Sequence, residues 1–285
     1  TRCLSDWSSD VCSSDLFDRT HGRISLTPAG AIAYGYAERI LALTAELDSR
    51  LKDLGGQVAG PLLIGASTTI ADFLLPQVLG EFKAAHPGVV PSLFVGNSEA
   101  VQQRLGDRAL DVGFIEGGSY LPSLSGERLC SDELQVVCPP RHPLARRTSV
   151  AADALVEHAY LTREQGSGTR EVIDRYLSRA GIEPGTLNVV MEASSPEALK
   201  GLVAAGMGYA IMSQVSVRKE VRLGLLVGIP LSPPIVRQLT AVYPRERLQS
   251  GLVGAFVQFA RLRLDAPAGG DAEGAERLLD ARSAP

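Results

Sequence analysis

Residues 27–54 constrain this chain more than any other stretch. Thr27 suits a helix N-cap, and Pro28 fits the first helical position, where its missing N–H would be unpaired in any case. From there Ala33, Ala37, Ile40, Thr44, Leu47, Leu51 and Leu54 recur at alternating steps of four and three. That spacing makes a seven-residue seam, the pattern of a helix that pairs with another helix. From Pro28 to Leu54 it predicts a helix ~40 Å long at the usual rise per residue. Gly55, Gly56 and Gly60-Pro61 then stop it.

Beyond Gly60-Pro61 the pattern alternates strand and helix, the signature of an α/β fold with a parallel sheet. Strands are predicted over 62–64, 91–95, 112–115 and 133–138, with helices over 70–85 and 99–105. A second α/β unit starts near Tyr160: strand 160–162, helix 169–180, strand 188–191, helix 196–204 and strand 209–212. A strand over 238–243 returns to the first unit, and an amphipathic helix over 251–264 covers it. Residues 265–285 show no apolar period and are expected to be a disordered tail.

Composition narrows the classes. With 285 residues, 45% hydrophobic and 21% charged, the chain has room for more than one core, and its net charge of −4 gives no global sign of nucleic acid. The longest apolar run, residues 202–212, falls well short of the ~18 residues of a membrane span, and no charged-then-apolar leader precedes the fold. Of four cysteines, Cys130 and Cys138 lie about 26 Å apart if extended on one strand, too far for a disulfide. Such usage fits a reducing cytoplasm.

Three stretches suit a small ligand, because each follows a strand and opens a helix. In Gly65-Ala66-Ser67-Thr68-Thr69, hydroxyls and amides can meet a carboxylate or phosphate. In Gly96-Asn97-Ser98, the polar side chains equally suit a helix cap. In 163–170 (REQGSGTR), Gly166 and Gly168 allow close backbone approach, and Gln165, Ser167, Thr169 and Arg170 add polar groups. Phe114 and Glu116 end a strand near the crossing between units, where Glu116 can read a cation or pair with an arginine. Catalysis is not expected: the four histidines are isolated, no Cys/His cluster has metal spacing, and Gly166-Ser167-Gly168 lacks the Gly-x-Ser-x-Gly elbow. No cofactor or metal is expected.

The arrangement F-x-R-x-x-x-R-I-x-L-T-P-A-G, here Phe17, Arg19, Arg23, Ile24, Leu26, Thr27, Pro28, Ala29 and Gly30, resembles the wing and linker helix of LysR-type transcriptional regulators. The remainder, to about Leu264, resembles the effector-binding domain of that family. The resemblance implies a winged helix-turn-helix remnant over 17–26, a dimerisation helix over 27–57, and a two-lobed effector domain with the type 2 periplasmic-binding-protein architecture. Lobe I is expected over 58–158 and 242–264, and lobe II over 159–241. It implies that Ser67, Thr68, Gln165, Ser167 and Thr169 face one small ligand, with Thr69, Asn97, Ser98, Phe114, Glu116 and Gly168 beside it. Arg19, His21 and Arg23 are the expected DNA contacts of the wing. The implied partners are promoter DNA for the parent protein, a small-molecule effector, further copies of the chain as homodimer or homotetramer, and RNA polymerase, with no membrane. The 163–170 stretch resembles the branch controlling carbon fixation and sulfur metabolism, which suggests an anionic effector. The alternative of another class is the solute-binding protein of a transporter, which would need a leader and no seven-residue seam.

Residues 1–16, TRCLSDWSSDVCSSDL, do not resemble the helix-turn-helix that should precede such a wing. The string DWSSDVCSSDL resembles a common sequencing adaptor read in frame. The expectation is a non-native scar on a truncated gene, and a chain unable to bind DNA sequence-specifically.

Overall fold

The structure is a computed structural model that describes residues 16–20, 23–53, 58–245 and 251–264. Strands β1 (Phe17–Thr20) and β2 (Arg23–Leu26) form an antiparallel hairpin with Phe17 opposite Leu26. It leads into α1 (Pro28–Asp53), which starts as its sequence predicts, the Gly30 N–H donating to Thr27 Oγ1 at 3.0 Å. Ile32, Tyr34, Tyr36, Ile40 and Leu41 stand exposed on this helix. Of the expected seam, Ala33 is half-buried while Ala37, Ile40 and Thr44 are exposed. Leu54, the side chains of Leu47 and Leu51, His21, and the side chains of Arg19 and Arg23 lie outside the described residues, as do 1–15 and 265–285.

The body is one mixed sheet shared by two lobes. In the first lobe β3 (Gly60–Ser67) lies between β4 (Val89–Gly96) and β5 (Val112–Glu116), all parallel. Helices α2 (Thr68–Phe73), α3 (Leu75–Ala85), α4 (Ser98–Gly106) and α8 (Gly251–Leu264) cover it. Its main core gathers Leu62, Ile64, Phe82, Phe114 and Phe256, and both Phe82 and Phe114 meet the Phe256 ring edge-on. In the second lobe β8 (Ala159–Arg163) lies between β9 (Asn188–Ala193) and β10 (Tyr209–Ser213), again parallel. Helices α5 (Gly168–Arg179), α6 (Pro196–Ala204) and α7 (Gln214–Arg222) pack around it.

Two long antiparallel strands, β6 (Leu124–Cys138) and β11 (Val227–Pro244), run through both lobes and join them. The sequence shows only their ends, 133–138 and 238–243. Prolines 230, 233 and 234 argue against a strand before 238, yet they fall where the pairing with β6 is interrupted between Pro230 and Ile235. There β11 instead meets the short β7 (Val150–Ala151).

The lobe boundaries shift accordingly. Leu134, Val136, Leu144, Val150 and Leu155 pack in one core with Tyr160, Leu177 and Tyr209, so residues 134–155 belong to the second lobe and not the first. Leu239 and Ala241 pack in the first core, not the second. The expected helix over 70–85 is broken at Leu74, because Pro76 lacks an N–H and suits only the first turn of a new helix. Helix α7 had no counterpart in the expectation. Cys130 and Cys138 lie on the one strand and form no disulfide, and burial pushes the Cys138 thiol up to about 11.

Candidate functional site

Strand ends deliver the polar stretches to the gap between the lobes. β3 ends at Ser67, which stands at the N-cap of α2 but makes no side-chain cap bond. Its hydroxyl is buried and has no hydrogen-bond partner among the described residues. Across the gap β8 ends at Arg163, whose Nη2 donates to Thr68 Oγ1 at 3.0 Å and to the Ser194 carbonyl at 3.1 Å. The same guanidinium grips Glu164, with Nε donating at 2.9 Å and Nη2 at 3.1 Å. Only 4% of Arg163 is exposed. A buried cation needs such partners, since desolvation of an unpaired guanidinium would be prohibitive.

Arg163, Thr69, Thr169, Ser213 and Ser216 line an inner cleft of about 10 Å³, room for about one water. No carboxylate lines it. Asp72, further along α2, is near enough to feel Arg163; burial and then Glu197 raise its pKa, against the pull of Arg163 and Lys200.

A second arginine sits at the crossing. Arg237, on β11, donates from Nε to Asp132 Oδ2 at 2.8 Å and from Nη1 to Thr169 Oγ1 at 2.7 Å. Its Nη2 lies 2.7 Å from Asp132 Oδ2 but out of line for a hydrogen bond, so charge and not direction holds that contact. Asp132 Oδ1 accepts from the Ser213 hydroxyl at 2.8 Å. Glu116 is 3.8 Å from Arg237 Nη1 and accepts from Ser98 Oγ at 3.0 Å. This network ties the end of β5, both crossing strands, α5 and β10 to one buried charge pair.

Beside α5 opens an outer cavity of about 470 Å³, where Ser98, Gln165 and Ser167 stand with Glu99, Glu171 and Asp174. Arg170 lines it too, paired with Glu192 at 2.7 Å and Asp174 at 3.7 Å. Burial raises the Asp174 pKa, with Arg170 pulling the other way.

The structure thus separates residues that the sequence grouped. Thr69 and Thr169 reach the inner cleft; Thr68 is held by Arg163 and Ser67 is buried at the start of α2. Ser98, Gln165 and Ser167 line the acidic outer cavity. Asn97 is occupied, its Oδ1 capping α4 through the Ala100 N–H at 2.9 Å and its Nδ2 donating to the Gln165 carbonyl at 3.3 Å. Gly168 serves close approach: a Cβ there would lie 2.6 Å from both the Glu116 carbonyl and Ser98 Oγ. Gly166, at φ +83°, supplies the left-handed turn before it. Phe114 does not face the gap; its ring is fully buried against Phe256 in the first core. Glu116 takes the plainer of its two roles, beside an arginine.

Sequence reasoning missed Asp132, Arg237 and Ser213 as site residues, and within the 163–170 stretch it gave Arg163 no role of its own. The signal was a charge inside an apolar strand. Strands predicted to start at Glu133 and Gln238 begin one residue past Asp132 and Arg237, so both partners of the buried pair fell just outside the expected elements.

Among the described residues no group of His, Cys, Asp and Glu can hold a metal ion, and no helix is long and apolar enough to cross a membrane.

Known proteins share both this sequence pattern and this fold. The LysR substrate binding domain family model matches residues 55–265. A "Probable RuBisCO transcriptional regulator" of Cyanidioschyzon merolae is 35% identical over 247 residues, 85% of this chain and 82% of the relative. The "HTH-type transcriptional regulator CysL" of Bacillus subtilis is 33% identical over 205 residues, 72% of this chain and 68% of the relative. Among solved structures, the Synechocystis PCC6803 CcmR regulatory domain in complex with 2-PG superposes with a TM-score of 0.66 at 26% identity, covering 73% of this chain and 98% of that one. An H2O2-bound cysteine mutant of OxyR from Corynebacterium glutamicum shares the fold, with a TM-score of 0.69 at 24% identity over 87% of this chain and 78% of that one.

Proposed function

The chain belongs to the LysR family of transcriptional regulators, and from that premise we propose that its two lobes bind a small anionic metabolite at the inner cleft. The single observation that carries this reading is Arg163, a buried cation at a cleft lined by hydroxyls and no carboxylate. An anion entering there takes over part of the guanidinium from Glu164 and meets the free Ser67 hydroxyl, Thr68, Thr69, Thr169 and the N–H groups opening α5. The cleft holds about one water as it stands, so the ligand binds an arrangement with the lobes further apart. Its differential affinity for the two arrangements is what shifts the protein between them. The CcmR domain carries 2-PG, which makes 2-PG the first compound to try.

The proposal extends to the rest of the molecule. Exposed apolar residues on α1 form the self-association surface of a homodimer or homotetramer; promoter DNA, with Arg19, His21 and Arg23 as the wing's contacts, and RNA polymerase are partners of the intact regulator, of which this chain keeps no sequence-reading helix. The protein works in the cytoplasm, as a regulator and not an enzyme; the transporter alternative is not favoured, since the relatives are transcriptional regulators.

Calorimetry against 2-PG, organic acids and sugar phosphates tests the cleft. Ser67→Ala and Thr169→Ala each remove one hydrogen bond to a charged group, about 1.5–3 kcal/mol and so roughly ten- to a hundredfold in affinity. A ligand held equally by wild type and both variants would mean the cleft is misassigned. On α1, replacing Ala37 and Ile40 with Asp should shift sedimentation to smaller species, and an unchanged mass would remove the seam from the account.

A further inference from the structure

A third cavity along α5 differs from the outer one in charge. About 230 Å³ in volume, it lies toward the C-terminal end of the helix, between Gly117 and Gly118 of the first lobe and Arg175, Tyr176 and Arg179 of the second. Arg237 and Gln238 contribute from the crossing strand, and no carboxylate lines the cavity.

The polar groups here are short of acceptors. Arg237 is held by Asp132 and Arg175 by Glu171, but no partner is found for Arg179 among the described residues. Arg175 also reaches toward the Ser119 hydroxyl of the first lobe at 3.4 Å, so the cavity is bounded by both lobes. Tyr176 Oη and Gln238 Oε1 are buried without hydrogen-bond partners. The phenol is a donor lacking an acceptor. The Gln238 amide can turn over, giving Oε1 to the Ser131 hydroxyl that Nε2 now approaches at 3.4 Å and presenting Nε2 to the cavity. An occupant that accepts from all of these groups is an anion with several oxygens, and planar guanidinium forks match a phosphate best.

We propose that this cavity is a second anion site, separate from the inner cleft, taking a small phosphate-bearing ligand, either inorganic phosphate or a phosphate monoester. The site is coupled to the cleft by construction, because Arg237 lines this cavity and donates to Thr169 at the other. A bound phosphate would bridge the Gly117–Gly118 turn and α5, holding the two lobes at one spacing.

Calorimetric titration of the full chain with inorganic phosphate, and separately with methyl phosphate, at constant ionic strength tests this. The proposal expects a saturable site that Arg179→Gln weakens about tenfold and Tyr176→Phe several-fold, one charge-assisted and one neutral hydrogen bond respectively. Both variants should fold, since Arg179 is exposed and Tyr176→Phe removes one oxygen; thermal unfolding verifies it. Arg163→Gln should leave this site intact, which separates it from the inner cleft. The tighter of the two probes tells free phosphate from monoester. The absence of a saturable site for either probe, or a site that Arg179→Gln leaves unchanged, overturns the proposal.

Discussion

The inner cleft and the outer cavity share one stretch of chain, residues 163–171, yet they differ in what they can hold. The inner cleft is narrow, with hydroxyls and the apolar Pro196, Leu199, Ile211 and Met212 around the buried Arg163 and no carboxylate on its walls. The outer cavity is roomy and carries Glu99, Glu171 and Asp174 against Arg170 alone, whose charge is already shared by Glu192 and Asp174. A serine and a glutamine suit either setting. Volume therefore favours the outer cavity as a ligand site, while charge favours the inner one for an anion. For an ionic ligand charge decides, because lobes can move apart whereas carboxylates cannot be removed.

The comparison can be broken most severely at the crossing that holds the inner cleft in shape. Asp132→Ala leaves Arg237 buried without its ion-pair partner, a loss of about 3–5 kcal/mol. Thermal unfolding should then fall by on the order of ten degrees. A change of only a degree or two would mean that the crossing pair does not organise the cleft.

A smaller effect should follow from Thr169→Val, which takes the hydroxyl acceptor from Arg237 Nη1 and leaves that nitrogen with Glu116 at 3.8 Å, while Asp132 still holds the guanidinium from its other side. The expected loss in chemical denaturation is about 1–3 kcal/mol. Ser98→Ala, at the contact between lobes, makes the useful partner measurement, since it strips the hydrogen bond from Glu116 without touching the arginine.

The smallest effect belongs to the outer cavity. Glu99→Gln with Asp174→Asn should strengthen anion binding at the inner cleft only a few-fold, because exposed charges act weakly across screened solvent. Asp174 also gives the pH dependence its sign. Its pKa is raised, so it takes up a proton earlier than an ordinary aspartate as the pH falls, and the field opposing an anion weakens. Affinity should therefore rise modestly on acidification through that pKa, and Asp174→Asn should remove that part of the rise.

Much of the architecture was legible in the sequence. The α1 start, the alternation of strands and helices, and the strand-to-helix position of Ser67–Thr69 and Ser167–Thr169 all follow from local rules of capping and periodicity. What was not legible depends on distant partners. The stretch 227–237 was not expected as strand, and nothing local shows that prolines 230, 233 and 234 sit at an interruption in pairing where β7 takes over. Asp132 and Arg237 carry no local sign of their role, because their pairing spans 105 residues. Phe114 looked like a strand-end contact, and only the arrival of α8 turns its ring into the first core. Among the hydroxyls, sequence could not separate Thr169 from Ser167, since which faces the cleft is set by how α5 is rotated against the crossing strands.

The central claim is that the inner cleft, through Arg163, carries the anion. The direct measurement is calorimetry of the best ligand from the metabolite panel against wild type, Arg163→Gln and the Glu99→Gln, Asp174→Asn pair under one set of conditions. The account predicts an affinity loss of roughly tenfold to a hundredfold for Arg163→Gln and a slight gain for the acidic pair. Unchanged affinity in Arg163→Gln, with a loss in the acidic pair, would contradict it and move the ligand to the outer cavity.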